Sequence, residues 1–374
     1  MRSPFRLAVV VAIGVFAALP APAFARTHGR AGADHAVFVQ TDDPAGNHVV
    51  AYHRSANGSL TLAGTYATGG RGGVLDGSVV DHLASQGSLT YDRDSGLLFA
   101  VNAGSDTVSV FSADGDHLTL RQVVGSGGEF PVSIAVHDDL LYVLNAENGG
   151  AVQGFGLFNG RLFPLRGARA DLGLDPTATP QFVNTPGQVA FSPSGQQLIV
   201  TTKANGSAVD VFRVGYFGQL SAPTVNPLPG AVPFAVTFDH ARHLVIAEAG
   251  TNSVASFSLS HNGTIAPLAS VATGQMATCW IVGAQGYEFV SNAASGSLSR
   301  IEPQPGGALT LLGQTATDPG TVDAAASIGG RYLYVQTGAN GIVDGFRVGS
   351  DGSLTAIGSV TVAGAVGGEG IVAI

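Results

Sequence analysis

Three side chains of this sequence are suited to acid–base work: Glu248, Lys203 and His82. A carboxylate such as Glu248, in "IAEAG", can take a proton from water as that water attacks an ester carbonyl. Glu248 can equally pair with Lys203. Lys203 is the one lysine of the chain, in "TTKANG", and its compact ammonium can polarise a carbonyl or orient a carboxylate. His82, preceded by Asp81 in "VVDHLASQG", offers a base or a metal ligand. Gln86, Glu129, Asn184, Gln188 and Asp323 add hydrogen-bonding groups around them.

Cys279, beside Trp280 in "GQMATCWIVG", is the only cysteine. A nucleophilic thiol needs a neighbouring base to become thiolate. No histidine stands on the matching segments nearby, so Cys279 reads as apolar filler. A single cysteine also cannot form an internal disulfide. The histidines are scattered without zinc-ligand spacing, and "HARH" (240–243) falls on an opposite-side turn. "TDDPAGN" and "DRDSG" lack the full calcium-ligand series. No phosphate-binding loop, dinucleotide fingerprint or Ser-His-Asp motif rises above the glycine background. No metal and no cofactor is expected.

What positions these residues is a repeat. "LLFAVNAGSDTVSVFSADGDHLTL" (97–120) is an apolar strand, a polar turn, an alternating strand, a glycine-containing hairpin and a third strand. Six further copies start near residues 36, 140, 197, 243, 287 and 331. The residue closing the first strand of each copy is Thr41, Asn102, Asn145, Thr202, Glu248, Asn292 and Thr337. Their separations of 61, 43, 57, 46, 44 and 45 give a base period near 44, with four short strands per unit. That is propeller spacing. The expected fold is all-β, a seven-bladed β-propeller of four-stranded blades. "GGEGIVAI" (367–374) has the pattern of an innermost strand, so the ring should close by pairing it with the N-terminal copy.

Composition agrees. Only 11% of residues are charged and 53 are glycine, which calls for many turns between strands rich in Val, Thr, Leu and Phe. Residues 1–25 read as a secretory signal: Arg2 and Arg6, an apolar run from Leu7 to Leu19, then Ala23-Phe24-Ala25. The mature chain, 26–374, is then one propeller domain, exported to the periplasm or beyond. Losing Arg2 and Arg6 takes the 17 basic residues to 15 against 26 acidic ones. That surface repels phosphate backbones and anionic headgroups, so neither nucleic acid nor membrane is an expected partner. A monomer is expected, with a small molecule as ligand.

On "AVNAGSDTVSVF", "YVLNA", "NTPGQVAFSPSG" and "AEAGTNSV", the chain resembles the lactonase-type β-propeller family. That family includes the 6-phosphogluconolactonases and muconate-lactonising relatives. "SQGSL", "PFAVTF" and "ATCW" are similar to a secreted bacterial branch of it. The resemblance implies a lactone-hydrolysing site at one end of the central channel. Phosphogluconolactonase-like members carry Gly-Pro-Arg-His on an innermost strand. Here "GAVPFAVTF" (230–238) has neither Arg nor His, and the compartment is wrong for a phosphorylated sugar, which argues against that substrate.

Two stretches leading into innermost strands, 68–85 and 167–186, account for the 61- and 57-residue spacings and should lie on one face. Ser88, Ser133, Gln188, Ala235, Cys279, Asp323 and Gly370 should ring the channel. Two functions follow: a hydrolase using Glu248 or His82 as base with Lys203 and Gln188 stabilising the oxyanion, or a non-catalytic propeller that binds a small molecule, glycan or protein. Convergence of Glu248, Lys203 and His82 on one pocket would favour the first.

Overall fold

Strand after strand, the middle segments of each repeat are buried on both faces, as in Leu97–Asn102 and Tyr332–Thr337. The third strands, such as Leu60–Ala67 and Ile265–Ala272, alternate between half-buried and exposed. Such a sheet can bury both faces only between two copies of itself. The computed structural model, which describes residues 35–374, meets that demand with seven four-stranded antiparallel sheets arranged as propeller blades. The stretch 1–25, read above as a secretory signal, lies outside the described residues. No helix among the described residues is long and apolar enough to cross a membrane.

The innermost strands are Leu89–Asp92, Pro131–His137, Gln188–Phe191, Pro233–Phe238, Thr278–Ala284, Thr321–Ala326 and Ile371–Ala373. The last of these belongs to the first blade, as expected. Ile371–Ala373 runs antiparallel to Ala36–Gln40 with Val37 opposite Ala373 and Val39 opposite Ile371. Arg54 adds a bond from its guanidinium to the Ile374 carbonyl at 3.0 Å.

The core lies between blades. Phe38, Val49, Ala51, Leu98, Ala100 and Phe111 fill the space between the first two. Val245, Ala247, Trp280, Ile281 and Val290 do so between the fifth and sixth. Bulges recur at two levels. One interrupts the outer hairpin, at Ala51/Tyr52, Val110/Phe111 and Arg300/Ile301 among others, twisting the exposed edge away from foreign strands. The other sits where innermost strands begin, as between Thr278 and Ile281, and re-aims the side chains there.

Candidate functional site at the channel mouth

The two long insertions meet on one face. Phe182 N–H, on the short helix Gln181–Asn184, donates to the Asp76 carbonyl at 3.2 Å, and Asp76 N–H returns a bond to Gln181 Oε1 at 3.0 Å. From there the first insertion descends over the channel, and residues 79–88 are hydrogen-bonded to four other blades. His82 N–H reaches the Gly367 carbonyl at 2.7 Å. Ser85 Oγ donates to the Val132 carbonyl at 2.7 Å, and Trp280 Nε1 donates to the Ser85 carbonyl. Gln86 spans the ring: its N–H meets the Gly187 carbonyl, while its amide exchanges two 2.9 Å bonds with the backbone of Ile281. Two glycines let the segment sit so low. A Cβ on Gly338 would fall 1.7 Å from the Val80 carbonyl oxygen, and one on Gly367 would fall 2.2 Å from His82 Nε2.

Beside this plug, between the fourth, fifth and sixth blades, opens a pocket of ≈ 530 Å³. Phe182, Phe234 and Trp280 give its apolar walls, and Asp81, Lys203 and Cys279 supply its polar groups. Phe234 and Trp280 stack with ring centroids 4.6 Å apart. Trp280 can face this way because residues 279 and 280 occupy the bulge at the start of their strand.

Lys203 opens the helical turn Lys203–Gly206 with a left-handed φ of 45° and is fully buried. Its ammonium donates to the Ala84 carbonyl at 2.6 Å and the Phe182 carbonyl at 2.5 Å, and lies 5.3 Å from the centre of the Phe234 ring. Three N–H groups less two leaves one donor for the pocket. Burial lowers its pKa to about 8, against the pull of Asp81 and Glu369. Asp81 is the converse case: burial raises it to about 6, and the Lys203 charge opposes the rise. Each thus feels the other's charge in an apolar setting, although no direct contact joins the carboxylate to the ammonium. Burial pushes the Cys279 thiol far up, with Asp81 adding to the rise, so no thiolate forms there.

More carboxyls crowd the channel behind the pair. Glu369 Oε1 accepts Ser85 N–H at 3.0 Å and lies 2.9 Å from Ser85 Oγ, while its buried Oε2 has no partner. Desolvation, then Asp81 and Asp42, hold Glu369 well above the usual carboxylate range. Asp42 accepts Glu369 N–H at 2.8 Å and is raised to about 7, as is Asp323, both chiefly by burial. Among the described residues, no group of three His, Cys, Asp or Glu side chains is arranged to hold a metal ion.

The residues singled out from sequence are dispersed. Lys203 lines the pocket. Glu248, one blade on, accepts the hydroxyls of Ser253 at 2.7 Å and Thr251 at 3.2 Å within its own turn. His82 lies on the far side of the plug against Gly367, with Nδ1 buried and unpartnered, and burial lowers its pKa. Gln86 and Gln188 carry structural bonds, the latter accepting Val236 N–H at 2.6 Å. Asp323 accepts Ala324 N–H at 2.9 Å on its own strand. Asn184 Nδ2 donates back to the Pro180 carbonyl at 2.9 Å, and Glu129 is exposed. Lys203, Glu248 and His82 therefore do not converge.

Asp81, Asp42, Glu369 and Phe182 were not among the site residues expected. One signal was available. The residues following the seven strand-closing positions are Asp42, Ala103, Ala146, Lys203, Ala249, Ala293 and Gly338. Five are small and two are charged with opposite sign; both charged ones have positive φ, 53° and 45°.

No protein-family model matches the chain, and no curated protein does so. Solved structures do. The periplasmic gluconolactonase of Pseudomonas aeruginosa superimposes with a TM-score of 0.71 at 18% identity, over 90% of this chain and 98% of that one. A 6-phosphogluconolactonase candidate from Bacteroides fragilis gives 0.70 at 16% over 90% and 98%. Virginiamycin B lyase from Staphylococcus aureus gives 0.53 at 13% over 76% and 87%. Identities this low speak to fold, and the lyase shows that one ring of blades hosts more than one chemistry. In fold, the chain is a seven-bladed β-propeller, similar to the gluconolactonase-like propellers of known structure.

Proposed function

We propose that the protein hydrolyses a neutral, predominantly apolar lactone or ester in the pocket floored by Asp81 and Lys203. The observation that carries this reading is the buried Asp81–Lys203 pair opening on an apolar pocket of ≈ 530 Å³ at the channel mouth. Water attacks the carbonyl carbon while the Asp81 carboxylate takes its proton. The remaining N–H of Lys203 stabilises the oxyanion. Collapse breaks the ring C–O bond, the proton passes to the leaving alkoxide, and the product is a hydroxy acid. A phosphorylated substrate does not suit the site, because its single cation is buried and already donates to two carbonyls. Export, argued from the pattern of residues 1–25, is part of this proposal.

The test is acid release by the purified protein across a panel of alkyl-substituted lactones in a pH-stat. Asp81→Asn and Lys203→Met should each lower kcat/KM by about 100-fold or more, the usual worth of a positioned acid or base. Glu248→Gln should leave it unchanged. The profile should be bell-shaped, rising near pH 6 and falling near pH 8 as the pair titrates. Loss of activity in Glu248→Gln alone would overturn the assignment. A second reading, pure ligand binding, is favoured by the dispersal of Glu248 and His82. It would stand if lactones bound the pocket without acid release.

A further inference from the structure

A second pocket, of ≈ 590 Å³, lies at the opposite ends of the same blades, between the turn after Pro233–Phe238 and the turn after Thr278–Ala284. Phe238, Tyr287, Pro303 and Pro305 form its apolar walls, and Asp239 and Glu288 its acidic floor. No lysine or arginine lines it. Asp239 is already occupied: His243 N–H and Nδ1 each lie 2.8 Å from one of its oxygens. Glu288 is not. It is 4% exposed, and its Oε2 is buried with no hydrogen-bond partner. Directly across the ladder stands Gly283, where a Cβ would lie 3.2 Å from that oxygen. With glycine there, no Cβ stands against the orphaned acceptor on the wall that both residues contribute to the pocket.

A buried acceptor without a donor costs about 1–3 kcal/mol, which a ligand bringing an N–H recovers. The field favours a positive one. Asp239 faces Glu288 across the blade interface, and the chain as a whole carries a formal −9. Burial and that neighbour hold Glu288 near 8, so a cation arriving at the pocket restores its ionised form. Aromatic and proline walls suit an apolar body behind the charge, with a contribution from the rings.

We propose that this pocket binds a primary ammonium compound with an aryl or alkyl body, its N–H donating to Glu288. The site is separate from the mouth and independent of the hydrolase reading. Titration calorimetry with 2-phenylethylamine, its N-trimethylated analogue and 2-phenylethanol tests it. The primary amine should bind at least tenfold more tightly than either other compound, because only it brings both charge and donor. Glu288→Gln should weaken it at least tenfold. Gly283→Ala, which keeps the acid but fills the space beside it, should do the same and serves if the first variant folds poorly. Equal binding of the alcohol, indifference to both variants, or no saturable binding of the amine would overturn the proposal.

Discussion

At the residue scale, Lys203 and Trp280 show how a side chain is committed by where its neighbours end. Lys203 holds two carbonyls from two different insertions, so it is at once the pocket's charge and the rivet of its rim. Trp280 holds the plug through one bond to the Ser85 carbonyl. Trp280→Phe keeps the stacking with Phe234 but strands that carbonyl, and should cost about 1–3 kcal/mol in urea unfolding. Cys279, beside it, predicts the opposite kind of result. The thiol is buried and its pKa is raised, so iodoacetamide at pH 8 should leave native protein unmodified, and Cys279→Ala should retain lactone turnover. Rapid labelling would show that the thiol is accessible after all.

Elements explain why the site was harder to read than the fold. Strand positions were legible because an apolar alternation with a fixed period survives sequence divergence, and the closing strand 371–373 was visible from its pattern alone. Insertions 68–85 and 167–186 stood out as extra length, but their paths obey no period. Nothing in "VVDHLASQG" says that Asp81 turns toward the pocket while His82 turns away. Glu248 looked chemical because it is a lone carboxylate on a strand end, yet Thr251 and Ser253 stand close enough in sequence to satisfy it locally. The plug's seating rests on backbone proximity that only glycine permits. Gly338→Ala must push Val80 outward, and Asp81 with it. We expect a loss of about 1–3 kcal/mol in stability from overpacking, together with a fall in kcat/KM that Ala103→Gly, at the equivalent turn of the second blade, does not produce. Unaltered kinetics in Gly338→Ala would detach the plug from the site.

Across the whole molecule, acids buried in a ring of blades make stability depend on pH in an unusual direction. Asp42 and Asp323 are raised to about 7 and Glu288 to about 8, all mainly by burial. Unfolded, such groups release their protons near pH 4, while the native state keeps them. Between about pH 4 and 7 the folded chain therefore binds more protons, and each group lowers stability by about 1.4 kcal/mol per pH unit of rise. The urea midpoint should fall from pH 5 to pH 8, and Asp42→Asn with Asp323→Asn should flatten the slope; a midpoint that rises over this range contradicts the burial of these acids. Ring closure has a consequence of another kind, in time. Ala36–Gln40 leaves the ribosome early, yet the strand that completes its sheet, Ile371–Ala373, is the last of the described strands to be made. Until then the first blade has an open inner edge and the ring cannot shut. A chain halted short of Ile371 keeps that edge, which is a template for aggregation and a target for proteases. Blade one is thus the single blade whose sheet is completed across the longest separation in the chain, and its inner edge stays unpaired until Ile371–Ala373 docks.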